Sequence, residues 1–567
     1  MPADHIDEAK SGAAAAIGRH PLRLLGSPLV WLVLFLVAAV LALSLPLRLP
    51  LGPNAWDTAV YLDAIQRVRT GQIPGIDFFA PVGPLSYVLA AGLDALFPHA
   101  QPMLLVNWAL LPVLLPAAAV LVSEIRDRRL ALAVLLPFLL FATLPINLHS
   151  LYPMPGFDGY GHYNRHVALL LYLLIATLLF VRRRTVAVGL VAVLMLTLFL
   201  VKITGAVAGA GLVGYAILAR RLKLRDAVLA AALVIGALGL LELVSRVISA
   251  YLEDILILLR MNTGALLPRF LTVASVKFNV VAPCALLILT LGFAAWRDGR
   301  LSSLAGLRAT LASPLGWLVA GLAALAFFET QNTGSLEFIG LWPILLALIL
   351  QWRHRRDTLR PLVLVLTLAC ALPSLIIYVE RAARAILGTA AHVALNLPAL
   401  GPLGRVTVKA DLASRATGML DYYADHQDSY RELARRNLSP SHMLASEIDY
   451  QALWLMEVQE GVVALKAWEE ANGRKLDGVF TLDFADPINR ILDRTPTRAV
   501  PVGIDPTRSM PDVSPRMLAE LARTDAVLMP KCPPTTARQA IAEHFAPALA
   551  GRRLVALAPC WDMYLRP

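Results

Sequence analysis

Apolar runs near the length needed to cross a bilayer recur through the first two thirds of this 567-residue chain. A membrane helix needs about 20 predominantly apolar residues. Eleven segments are candidate spans: 28–50, 103–123, 130–147, 166–181, 185–201, 204–219, 226–248, 278–296, 312–329, 336–351 and 360–379. In lipid, only helices and closed barrels satisfy every backbone polar group internally, so these runs restrict the chain to a polytopic α-helical membrane protein. Composition agrees: 57% of residues are hydrophobic and 16% charged, against about 25% charged in soluble domains. The first run is too long for the apolar region of a cleavable signal and reads as a signal anchor. Only Lys202 and Ile203 separate two of the runs, which predicts a closely linked pair or a broken helix.

The net charge of +11 would suit a nucleic-acid partner if it formed one surface, but the basic residues sit in short loops between apolar runs, where they report topology instead. One set of loops holds twenty, including Arg126, Arg128 and Arg129, Arg182 to Arg184, and Arg353, Arg355 and Arg356. The other set, up to residue 335, holds seven: Arg67, Arg69, Arg165, Lys202, Arg260, Arg269 and Lys277. The richer set is expected in the cytoplasm, with residues 1–27 as a cytoplasmic tail. The run 84–97 then cannot be a full span, because it would invert every later loop. It is expected to be an interfacial or re-entrant helix, paired with a second surface helix at 57–70 in an outer loop of residues 51–102.

From residue 381 the chain becomes richer in Asp, Glu and Arg. Helical patterns cover 411–436, 443–470, 514–523 and 535–547, and 479–484 and 552–559 read as strands, so a small α/β domain on the outer side is expected over 381–567. Cys284 and Cys370 lie in apolar runs and read as core residues. Cys532 and Cys560 lie in the polar third, where export would allow a disulfide and a cytosolic location would not.

The outer loops collect the residues with chemical capacity. Loop one, between Trp56 and Tyr87, carries Asp57, Asp63 and Asp77 directly after a membrane run, where carboxylates are costly unless they reach water. Loop two, 148–165, packs His149, Asp158, His162 and Arg165 among Tyr152, Tyr160 and Tyr163. Lys202 and Arg269 fall on the same side. Carboxylates can take a proton from an acceptor hydroxyl, cations can hold a phosphate, and aromatic faces can stack on sugar rings.

Residues 54–87, NAWDTAVYLDAIQRVRTGQIPGIDFFAPVGPLSY, resemble the first outer loop of GT-C glycosyltransferases, among them the protein O-mannosyltransferases and the aminoarabinose transferases of lipid A. The shared order is an Asp after the first span, a Tyr, a G-x-x-P turn, an Asp-Phe pair and a G-P-L opening of a surface helix: here Asp57, Tyr61, Gly71, Pro74, Asp77-Phe78 and Gly83-Pro84-Leu85. The resemblance implies transfer of a sugar from a polyprenyl-phosphate donor by an inverting displacement, with the loop-one Asp as base. Thr58 follows Asp57 where many relatives carry a second acid, so a divalent metal stays open and no metal ligand is assigned.

The expected enzyme is a GT-C-like transferase of a bacterial inner membrane, passing sugar to a glycan, lipid or protein acceptor on the periplasmic face. Asp57 is its expected base and Asp77 a second catalytic carboxylate. Asp158, Tyr61, His162, Arg165, Lys202 and Arg269 are expected to bind substrate, the cations at the lipid phosphate. Plainer roles compete: Asp57 or Asp77 as a cap, Asp158 in an ordinary turn, Lys202 as a snorkelling lysine. Asp63, Glu329 and Glu337 are expected in solvent, and for Asp483 to Asn489 an Asx turn is the simpler account beside a ligand loop after a strand. The rival classes are a transporter or flippase, and a non-catalytic membrane scaffold for the outer domain. Transport is disfavoured because Glu242 and Lys202 are nearly the only ionisable residues near span interiors and no repeat is visible.

Overall fold

A computed structural model describes residues 26–80, 82–148, 155–262, 266–330, 335–439, 442–443 and 449–567. The amino-terminal tail expected in the cytoplasm, apart from Gly26 and Ser27, and His149 and Tyr152 of loop two, lie outside the described residues.

A helix lies over each of the eleven apolar segments. Among the described residues, five are long and apolar enough to cross a membrane unaided: His162–Phe180, Arg184–Val201, Leu224–Ser245, Phe278–Arg297 and Arg360–Ala391. A sixth is possible if Leu304–Leu311 and Pro314–Glu329, bent by 55° at their junction, count as one span. The segment 103–123 is divided between Pro102–Asn107 and Leu111–Glu124. Lys202 is extended (φ −162°, ψ 123°) and breaks the chain between Arg184–Val201 and Ile203–Leu218. Helix Leu224–Ser245 turns Ile235, Leu240, Leu243 and Val244 outward, a contiguous apolar face of the kind that water does not tolerate.

Side-chain contacts keep the two classes of loop apart. Arg184 pairs with Asp226 at 2.6 Å and Arg183 with Glu124 at 3.8 Å; Arg297 pairs with Asp357 at 2.7 Å and Arg355 with Asp298 at 2.5 Å. All of these belong to the arginine-rich set. At the other end, Leu51 bridges Phe157, Leu148 N–H donates to Ser335 O, and Gly83 N–H donates to Val201 O. Loops one and two touch so closely that a Cβ on Gly156 would lie 2.2 Å from Leu51 O. Pro84–Leu96 has 13 residues, roughly 20 Å of helix at 1.5 Å per residue, which is short of a span.

The carboxy-terminal part is built on a mixed four-stranded sheet. Val479–Thr481 runs parallel to Ala526–Pro530, which pairs antiparallel with Trp561–Leu565, and that strand pairs antiparallel with Arg553–Ala558. Two of these strands were expected. Ala526–Pro530 and Trp561–Leu565 were not: the first ends in proline, and the second alternates large and polar residues at the chain terminus. Cys532 and Cys560 form a disulfide, while Cys284 and Cys370 are buried thiols.

This region is also woven into loop one. Leu49–Pro50 pairs in parallel with Val406–Thr407. Gln66 donates to Arg494 O at 2.8 Å, Arg67 to Thr497 O at 2.6 Å and Gln72 to Pro496 O at 2.7 Å. Arg490 and Arg69 both bind Asp94, and Arg498 binds Asp77 at 2.6 Å. Three expectations are corrected here. Asp63 is not in solvent: it is buried and paired with Arg67 one helical turn on, at 2.9 Å, which offsets the cost of burying either charge. Glu329 and Glu337 are buried too; Ser335 Oγ donates to Glu329, and Lys277 pairs with Glu337 at 2.6 Å.

Candidate functional site

Two helix starts face each other beneath a cavity of about 370 Å³. Helix Asp57–Arg69 begins on Asp57 itself, so this residue is not the N-cap; Trp56 holds that place. Asp57 Oδ2 instead accepts the Gly161 N–H at 3.2 Å. Gly161 precedes helix His162–Phe180 at φ 59°, ψ 43°, left-handed backbone that glycine adopts at least cost. One turn along from Asp57, Tyr61 faces the same cavity, as the i, i+4 spacing requires. Its Oη is buried and has no hydrogen-bond partner among the described residues.

Behind these two residues lies a second layer that does not line the cavity. Arg165 Nη2 donates to His162 Nδ1 at 2.6 Å. A guanidinium only donates, so the other imidazole nitrogen carries the proton and donates to Thr58 Oγ1 at 3.3 Å. Arg165 also donates to Asn147 Oδ1 at 3.0 Å and Asp158 O at 3.2 Å. Asp158 Oδ1 accepts the Tyr160 N–H at 2.8 Å, an Asx turn, and its carboxyl is pushed up by burial. Asp158, His162 and Arg165 therefore brace the floor of the cavity. Asp77 lies elsewhere, engaged by Arg498 and by the Ile73 N–H at 2.9 Å.

The walls bring the cations. Lys202 Nζ donates to Asn164 Oδ1 at 2.8 Å and lies 5.0 Å from the Tyr163 ring centre. Arg269 donates to Asn262 Oδ1 at 3.4 Å. Helix Val247–Met261 adds Tyr251, Ile255, Leu258 and Leu259, an apolar side to the cavity. Asp57 is half-buried, its carboxyl pushed up to about 7 by burial, and Lys202, at the helix break, is pushed down to about 7 by the same cause. Charge is thus costly for both groups until a partner arrives.

The carboxy-terminal part closes the cavity with Phe484, Gly503, Asp505, Arg508 and Ser509. Phe484 packs against Trp56 with ring centres 5.1 Å apart and tilted by 40°, and the Trp56 backbone N–H donates to Gln451 Oε1 at 3.1 Å. Phe484 falls in the 483–489 stretch noted in the sequence, but Gly503, Asp505, Arg508 and Ser509 were not singled out for this site, because their partners lie hundreds of positions away. The run of Arg490, Arg494 and Arg498, a basic stripe able to meet the acidic loop one, was the available signal. Among the described residues, no group of three or more His, Cys, Asp or Glu is arranged to hold a metal.

No family model and no curated protein matches the chain. Among solved structures it is similar to ArnT from Cupriavidus metallidurans in the apo state, with 14% identity, 95% of this chain and 98% of that chain covered, and a TM-score of 0.42. The same protein bound to undecaprenyl phosphate gives 13% identity, the same coverage and 0.41. The Archaeoglobus fulgidus oligosaccharyltransferase in complex with Zn and sulfate gives 14% identity, 87% and 67% coverage and 0.33. ArnT is an aminoarabinose transferase, one of the kinds of enzyme that residues 54–87 resemble. The likeness is loose and assigns neither substrate nor residue role.

Proposed function

We propose that this protein is a membrane glycosyltransferase that moves a sugar from a polyprenyl-phosphate carrier to an acceptor hydroxyl at the outer face of a bacterial inner membrane. The observation that carries this reading is one cavity in which a half-buried carboxylate, Asp57, shares the walls with Lys202, Arg269 and several tyrosines. In the proposed step Asp57 takes the acceptor proton. The acceptor oxygen bonds to the anomeric carbon, the bond from that carbon to the phosphate oxygen breaks, and its electron pair leaves with the polyprenyl phosphate. Lys202 and Arg269 balance the charge gained by the phosphate, and the proton on Asp57 returns to water. Attack opposite the leaving group inverts the anomeric centre.

Export of residues 381–567 is supported by the Cys532–Cys560 disulfide, since such bonds persist in oxidising compartments. Asp77 has a docking role in this reading. Asp158, His162 and Arg165 position the Asp57 and Tyr61 helix rather than touch substrate.

The test is transfer of radiolabelled sugar by the purified protein from a panel of polyprenyl-phosphate donors to water-soluble and lipid acceptors. Turnover with one donor supports the reading; a folded protein inert across the panel overturns it.

The same assay tests a pH dependence. The step needs Asp57 ionised and Lys202 protonated, and burial has moved both groups to about 7. Below that pH Asp57 gains a proton and kcat/KM falls, approaching tenfold per unit; above it Lys202 loses its proton and kcat/KM falls again. The expected profile is a narrow bell near neutrality, with the alkaline limb removed in Lys202→Arg. A flat profile from pH 5 to 9 would refute both roles.

A further inference from the structure

We propose that Arg508, carried into the cavity by the carboxy-terminal part of the chain, is a cation for the carrier's phosphate, so that this region completes the donor site; the inference rests on the function proposed above. Arg508 lines the same cavity as Asp57 and Lys202, with half its side chain exposed. Its charge acts on both of them. A leaving phosphate monoester gains a second negative charge, spread over three outer oxygens, as the sugar departs, and a third cation beside Lys202 and Arg269 can hold an oxygen that those two leave unmatched. A guanidinium adds a planar fork that matches two phosphate oxygens.

The segment around Arg508 is built to hold that side chain in place. Gly503 has φ 71°, and a Cβ there would lie 3.2 Å from Val60 Cγ1, so the strand of chain enters against the Asp57 helix. Asp505 Oδ1 accepts the Thr507 N–H at 2.8 Å and its hydroxyl at 2.6 Å, while Oδ2 accepts from Arg508 Nε at 3.1 Å. Ser509 Oγ donates to Gly503 O at 2.7 Å and accepts the Asp505 N–H at 3.2 Å. Asn262 Nδ2 donates to Arg508 O at 3.2 Å, which ties the turn to the cavity's apolar helix. Asp505 holds Nε and Tyr160 also bonds the side chain, so the guanidinium is fixed in place at the cavity wall with half the side chain exposed. Two hydroxyls in the cavity wall, Tyr61 Oη and Thr204 Oγ1, are buried without a partner among the described residues. Buried polar atoms of this kind normally find one, and phosphate oxygens can accept from both.

The experiment compares equilibrium binding of a radiolabelled polyprenyl phosphate and of the matching uncharged polyprenol to detergent-purified full-length protein, for wild type, Arg508→Gln and Arg508→Lys. The expected result is a loss of roughly 10- to 100-fold in affinity for the phosphate in Arg508→Gln, the scale of a charge-assisted hydrogen bond. Polyprenol binding should be unchanged, and Arg508→Lys should recover part of the loss. Wild-type affinity for the phosphate in Arg508→Gln overturns the inference and leaves the glycosyltransferase reading standing. Equal loss of both lipids in both variants makes Arg508 a structural residue and also overturns it. Wild type that binds neither lipid overturns the inference and the reading together.

Discussion

Replacing Asp57 by Asn is expected to lower kcat by about 10²- to 10⁴-fold, the range that a positioned general base contributes, while the protein keeps its fold. The substitution is nearly isosteric. The Asn carbonyl still accepts the Gly161 N–H that Asp57 Oδ2 accepts at 3.2 Å, so the meeting of the two helix starts survives. What disappears is the ability to hold the acceptor's proton. Binding of the donor should change little, because the cations at the phosphate are untouched. Single-turnover transfer with donor preloaded on the protein separates the two effects. A loss below about threefold would remove Asp57 from the reaction, and Asp505, the other carboxylate lining the cavity among the described residues, would become the group to test.

The second large effect concerns stability. Arg538→Met is expected to cost about 3–5 kcal/mol, the usual result of removing one partner from a buried charge cluster. Arg538 Nη2 lies 2.6 Å from Glu457 Oε2 and 2.8 Å from Asp483 Oδ2, and all three residues are buried. Burial already pushes Glu457 up to about 7 against the opposing pull of Arg538; without that pull two carboxyls would share a dry site. The loss should appear as a lower midpoint for the carboxy-terminal part in urea, or as faster trypsin cleavage there. Arg566→Ala is the control. Its pair with Asp525 at 2.8 Å is partly solvent-exposed, and its loss should cost under about 1 kcal/mol. Equal effects of the two substitutions would show that burial of the Arg538 cluster does not matter. Asp483 precedes Phe484, which packs against Trp56 beside Asp57, so Arg538→Met should also lower transfer.

Local pattern carried the helices and the position of loop one. Apolar length alone located all eleven segments, and the order of Asp57, Tyr61 and the Gly-Pro turns drew attention to the stretch that lines the cavity. Burial of charge was not legible. Asp63 and Glu329 look like solvated residues because their partners, Arg67 apart, come from other segments or from a turn whose geometry the sequence does not display. The three acids of loop one also separate in space: Asp57 faces the cavity, Asp77 holds Arg498 of the distant carboxy-terminal part, and Asp63 neutralises Arg67, which reaches Thr497 O. The far wall was invisible for the same reason. A helix repeats every 3.6 residues and a strand every two, but no period links Trp56 to Gln451.

That long reach sets an order in time. Cavity residues run from Asn54 to Ser509, so the wall around Asn54 leaves the ribosome hundreds of residues before the wall around Ser509. Chains of this kind fold largely as they emerge, amino-terminal parts first. The membrane helices can therefore be inserted and packed while the cavity still lacks one side. Translation stopped after residue 480 would leave the apolar helices of the first two thirds made and the cleft without Phe484, Gly503, Asp505, Arg508 and Ser509.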